Sequence, residues 1–180
     1  MEPRATVIMT RAAVAILVLT DALYLVLIFS QPDRSPEGTV TVAFIATYML
    51  VMASLLATSM SSRPRIVASR TTLRGGPAGG LLLLGTLAAF SIGLPILVAA
   101  GLAIVGATRS VPRPGWKAPA ALGALAALAA VIILVAGIDL SQRLIICPAH
   151  GIATGSGSGL VSGPYHYECS NGSLTFHSGS

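Results

Sequence analysis

The chain has 180 residues, of which 54% are hydrophobic and only 9% are charged, and its formal net charge is +5. Soluble domains carry about 25% charged residues, so the composition excludes a soluble globular fold for most of the chain. The positive charge does not indicate a nucleic-acid partner. The basic residues stand in short clusters between apolar runs and form no basic stripe with stacking aromatics.

Four apolar runs follow one another along the chain, at about residues 12–30, 39–60, 81–108 and 118–138. Each run is long enough to cross hydrocarbon, which takes about 20 apolar residues in a helix. None of them contains Lys or Arg, and none alternates as a strand of a membrane barrel would. The sequence therefore predicts an all-α integral membrane protein, with a bundle of four transmembrane helices within residues 1–138.

The predicted loops, at residues 31–38, 61–80 and 109–117, indicate the orientation, because Lys and Arg in short loops favour the cytoplasm. Four full crossings place seven basic residues on the side of both termini and four on the other side. If the run at 81–108 enters and leaves through one face, breaking at Gly93-Leu94-Pro95, nine basic residues lie inside and two outside. We expect four crossings with cytoplasmic termini, as a multi-pass protein of a bacterial plasma membrane, and keep the re-entrant hairpin as the alternative.

Asp21 stands near the middle of the first run, with Thr20 and Tyr24 beside it. A carboxylate at this depth costs a few kcal/mol, and desolvation favours the neutral acid, which can donate a hydrogen bond. The candidate partners in the next run are Thr47, Tyr48 and Ser54. Two interpretations stay open: a proton-linked site, and a structural hydrogen bond between helices.

A single membrane-buried acid in the first of four predicted helices resembles the small multidrug-resistance exporters. The resemblance rests on Asp21 and the helix count, and it implies a four-span fold with proton-coupled export. The chain differs from that family in having Asp where the family has Glu, in its polar tail, and in the loop position of Trp116.

The third and fourth runs carry small residues at four-residue spacing, which lets membrane helices approach closely. The pairs are Ala89 and Gly93, Ala99 and Ala103, Gly123 and Ala127, and Ala126 and Ala130. They predict close packing either within the chain or in a homo-oligomer.

The tail, residues 139–180, has a different composition. Residues 155–159 read as a flexible Gly/Ser stretch. The β-prone segments at 165–169 and 174–177 flank Asn171-Gly172, which is a strong signal for a two-residue hairpin turn. The sequence therefore predicts a small hairpin in the tail.

The two cysteines of the tail allow three interpretations. Cys147 and Cys169 could form a disulfide, which requires an exported tail and conflicts with cytoplasmic termini. Alternatively, Cys147-x-x-His150 and His166-x-x-Cys169 have the spacing of a zinc site. Finally, both thiols could be free.

No motif points to catalysis. The sequence contains no Cys-x-x-Cys, no phosphate-binding Gly loop and no His-Glu-x-x-His. We therefore expect a non-enzymatic scaffold or accessory subunit without a cofactor, whose partners are the lipid bilayer and other membrane proteins or further copies of the chain. The alternative is a proton-coupled small-molecule transporter that uses Asp21.

Overall fold

The computed structural model describes residues 4–30, 36–61, 63–89, 92–109, 117–147 and 149–178. Most residues of the predicted loops at 31–38 and 109–117 lie outside these ranges. The described part of the chain forms five helices and a small sheet. The helices are α1 (Arg4–Ser30), α2 (Pro36–Thr58), α3 (Pro64–Leu87), α4 (Gly93–Arg109) and α5 (Lys117–Arg143). The strands are β1 (Ile152–Gly159), β2 (Gly163–Ser170) and β3 (Ser173–Ser178).

Three of the described helices are long and apolar enough to cross a membrane, over Arg4–Ser30, Thr39–Thr58 and Ala118–Arg143. They fall in α1, α2 and α5, and each corresponds to a predicted apolar run. The chain divides into two compact units. The first unit comprises Met1–Phe29 and Ala46–Leu134, and the second comprises Ser30–Ile45 and Val135–Ser180.

The predicted third span, residues 81–108, is not one helix. α3 ends at Leu87 and α4 begins at Gly93, where the Gly93 amide donates to the Ala88 carbonyl over 2.8 Å. A Cβ atom on Gly93 would overlap the backbone of Gly85 and Ala88, so this reversal needs glycine. The run is therefore a pair of helices, and the predicted four-span bundle is not confirmed.

The Gly-rich segment at 75–80, predicted to be part of a loop, lies inside α3. Glycine weakens an isolated helix, but here it permits a close approach to α5. A Cβ atom on Gly75 would overlap the backbone of Gly123, and one on Gly79 would overlap Ala127. The prediction of a loop here is wrong because helix packing outweighs the low helix propensity of this segment.

α5 runs parallel to α3 in the first unit, since Gly75 lies against Gly123 and Gly80 lies beside Ala130. The small residues predicted on α5 thus pack within the chain. α2 runs in the opposite direction to α3. Its Tyr48 lies at Gly80, while Ser59, at the C-terminal end of α2, lies at Arg74.

The last turn of α4 lies beside the first turns of α1. Thr10 faces Gly106, and the guanidinium group of Arg109 lies 4.0 Å from the sulfur of Met9. Arg74 donates to the Gly106 carbonyl over 3.3 Å. In the first unit, the start of α1, the first half of α3 and the end of α4 therefore share one end, and α1 to α5 alternate in direction.

The second unit contains an antiparallel sheet in the order β1-β2-β3. The predicted turn is confirmed, with φ of 47° at Asn171 and 83° at Gly172. The segment 155–159, predicted to be flexible, is part of β1. Its glycines are needed because the ring of Tyr167 lies across Gly155 and the ring of Tyr165 lies across Gly157.

Candidate functional site

Asp21 lies inside the first unit and not on its outer surface. It is 3% exposed and Thr20 is 6% exposed, while Tyr24 is half-buried. Asp21 and Thr20 belong, with Ala13 and Leu17, to the buried stripe of α1 at helical spacing. Within the described part of the chain, Oδ1 of Asp21 has no hydrogen-bond partner. A buried carboxyl oxygen in this state is costly unless it is protonated or solvated.

Two of the three α2 side chains that were predicted to bond Asp21 donate hydrogen bonds to other groups. The hydroxyl of Tyr48 donates to the carbonyl of Ala130 over 2.9 Å. Ser54 donates to the carbonyl of Leu50 in its own helix over 2.8 Å, and Thr47 is exposed. The candidate site at Asp21 therefore rests on burial and on the unbonded oxygen.

Arg74 is a second buried charged residue. The sequence predicted it to lie in the loop at 61–80. It has no exposed surface. Its Nε donates to the hydroxyl of Ser59 over 3.2 Å, and its Nη1 donates to the carbonyl of Gly106 over 3.3 Å. These bonds tie α3 to the end of α2 and to α4. The four-residue spacing of Arg70 and Arg74 ahead of an apolar run was the available signal, because it places both on one face of a helix.

Arg74 and Asp21 lie at different depths. Arg74 bonds to Gly106, which faces Thr10 of α1. Asp21 follows Thr10 by eleven residues in the same helix, which is about 16 Å along the axis at ~1.5 Å per residue. The two residues therefore form separate polar sites within the helices.

Protein-family models, curated proteins and solved structures give no match to this chain.

The tail contains a disulfide between Cys147 and Cys169, whose Cα atoms are 5.5 Å apart. The alternative zinc site, which needs His150 and His166 together with both thiolates, is excluded because the sulfur atoms are bonded to each other. Among the described residues, no group of three or more His, Cys, Asp or Glu side chains is placed to hold a metal ion.

The loop between β1 and β2 is fixed to the end of α5. One carboxylate oxygen of Asp139 accepts from the amides of Val161 and Ser162, over 3.1 and 3.3 Å, and from the Ser162 hydroxyl over 3.0 Å. Arg143, one helical turn further along α5, lies 3.9 Å from the other oxygen. The hydroxyl of Tyr165 donates to the carbonyl of Gln142 over 2.6 Å. With the disulfide, these bonds hold the sheet to its helix at several points.

Proposed function

We propose that the protein is a non-enzymatic, multi-pass scaffold or accessory subunit of the plasma membrane, which displays its C-terminal sheet on the extracytoplasmic side. The observation that carries the proposal is the attachment of the sheet. Asp139, Tyr165 and the disulfide fix it to the end of α5, so its surface is presented in a defined orientation. A rigid surface at a helix end suits binding to a partner better than it suits turnover of a substrate.

The alternating helix directions support this topology. Five alternating helices bring the chain to the side opposite its N-terminus, whether the α3–α4 pair crosses fully or enters and leaves from one face. Nine basic residues then lie inside and two outside, in agreement with the positive-inside rule. The disulfide lies outside, where disulfides persist. With four crossings, the positive-inside count would favour a cytoplasmic tail, whereas the disulfide would favour an external one.

Purified protein in liposomes tests the absence of transport. With a pH-sensitive dye inside and an imposed proton gradient, the gradient should decay as it does in protein-free liposomes, and Asp21→Asn should change nothing. Ser54→Ala serves as the matched control, because it also removes a polar group from an apolar helix. Decay that depends on Asp21 but not on Ser54 would overturn the proposal.

A second experiment tests the display of the sheet. A photo-crosslinking residue in place of exposed Thr175 should give a discrete protein adduct in native membranes. The same residue in place of Leu122, exposed on α5, should give lipid adducts. Equal adducts at both positions, or none at Thr175, would contradict binding through the sheet.

Proton-coupled transport through Asp21 is the second candidate function. The observation in its favour is the 3% exposure of Asp21 together with the unbonded Oδ1. A transported proton needs a buried acid that can change its protonation state. In that case, Asp21→Asn should abolish proton-coupled flux while leaving the amount of membrane-inserted protein unchanged.

A further inference from the structure

The solvent-exposed face of the sheet carries two histidines directly opposite each other. His166 of β2 pairs with His177 of β3 in the strand register, and both side chains are exposed. Glu168 lies two residues from His166 and therefore on the same face. Around them is an open depression of about 340 Å³. Its lining residues are Thr154, Gly155, Ser156, His166, Tyr167, Glu168 and His177.

The rest of the sheet holds this face in place. The turn at Asn171-Gly172 sets the register of β2 and β3. On the opposite face, Tyr167 is 5% exposed, and Cys169, which is 1% exposed, carries the disulfide. A change of register by one residue would expose both, so the pairing of the two histidines is strongly specified.

We propose that His166 and His177 bind a divalent transition-metal ion of the Cu²⁺, Ni²⁺ or Zn²⁺ class. Directly opposed residues of an antiparallel pair have Cβ atoms about 4.5–5.5 Å apart. Two imidazole nitrogens, each at about 2.0–2.1 Å from the metal, can converge from this separation. Imidazole is a preferred ligand of these three ions. No third His, Cys, Asp or Glu among the described residues completes the group, so water fills the remaining positions.

The proposed site differs from the Cys/His set considered above, because it uses neither cysteine. The nearby carboxylate of Glu168 adds negative charge, which raises the local concentration of cations. Binding by this site does not depend on the scaffold function, since it concerns only the exposed face of the sheet. A metal bound here would bridge β2 and β3 and could accept a further ligand from a partner.

The full-length protein, purified in detergent without a histidine tag, tests the proposal by titration with Cu²⁺ and separately with Zn²⁺. One equivalent should bind, and Cu²⁺ should bind more tightly than Zn²⁺. His166→Gln and His177→Gln should each weaken binding at least about tenfold, since changes beyond the direct ligands already cost ~10–100-fold. The matched control is His150→Gln, which removes the remaining histidine of the chain.

Electron paramagnetic resonance of the Cu²⁺ complex gives an independent readout of the ligands. The wild-type protein and His150→Gln should show coupling to two imidazole nitrogens, and His166→Gln and His177→Gln should each show coupling to one. All variants should retain the disulfide on non-reducing gels, because both histidines are exposed. Binding that is unaffected by the two sheet variants, binding lost equally in His150→Gln, or no saturable binding would each overturn the proposal.

Discussion

Arg74 shows how one charged residue can be kept inside an apolar unit. A buried guanidinium group is tolerated only when hydrogen bonds replace its hydration. Ser59 and the carbonyl of Gly106 supply such bonds. Because these acceptors lie at the ends of two other helices, Arg74 holds the first half of α3 against the end of α2 and the end of α4.

Replacement of Arg74 by Ala should therefore destabilise the protein. The bonds from the guanidinium group to the Ser59 hydroxyl and to the Gly106 carbonyl would be lost, and each hydrogen bond to a charged group contributes about 1.5–3 kcal/mol. The measurement is the free energy of unfolding in detergent, followed by circular dichroism. Arg109→Ala is the matched control, because Arg109 is exposed and its change should stay within about 0.5 kcal/mol. Equal effects of the two variants would show that the bonds of Arg74 do not stabilise the fold.

The contact between α3 and α5 depends on glycines that let the two helix backbones approach closely. Gly75→Ala should destabilise the protein, because the new Cβ atom would meet the backbone of Gly123, which cannot move aside as a side chain can. Gly101→Ala, in α4, is the matched control. No atom lies within 4 Å of its new Cβ atom, and replacing a helical glycine by alanine contributes about 0.5–1 kcal/mol of stability. The same unfolding measurement should thus give opposite signs, and a gain of stability for both variants would exclude the close helix approach.

β1 offers a comparison of its two faces. Gly155→Val would drive a side chain into the ring of Tyr167, while Ser156→Val points to solvent and favours a strand. We expect Gly155→Val to weaken the sheet, seen as faster proteolysis of the tail, and Ser156→Val to leave it unchanged. Similar proteolysis of both variants would contradict the packing of Tyr167 on β1.

The sequence predicts α1, α2 and α5 well, because each is a continuous apolar run. It hides α3, whose first half combines Arg70 and Arg74 with glycines that resemble a linker until the packing against α5 is known. The Gly/Ser segment of β1 has the composition of a flexible stretch, although its strict alternation matches the period of a strand. The sequence left the disulfide open beside a zinc site and free thiols, because the choice depends on how the tail folds. The burial of Arg74 likewise depends on contacts between distant elements that no local pattern reveals.

The disulfide should stabilise the sheet and leave the stability of the helices unaffected. Cys147 and Cys169 are 22 residues apart, and a loop of about this size contributes ~3 kcal/mol. The double variant Cys147→Ser, Cys169→Ser should lose resistance of its tail to proteolysis, while the helical circular dichroism signal stays unchanged. A tail that resists proteolysis as well as the wild-type tail would contradict this role.

The membrane topology, with the sheet outside the cell, is the central claim. Labelling of intact cells with a membrane-impermeant maleimide tests it most directly. The wild-type cysteines should react only after an impermeant reductant has opened the disulfide. In the Cys147→Ser, Cys169→Ser background, Ser61→Cys, between α2 and α3, should react only after the membrane is permeabilised. That pair of results places the sheet outside, and the C-terminal end of α2 and the Arg-rich first half of α3 inside. Labelling of Ser61→Cys in intact cells, or of the tail cysteines only after permeabilisation, would contradict the account.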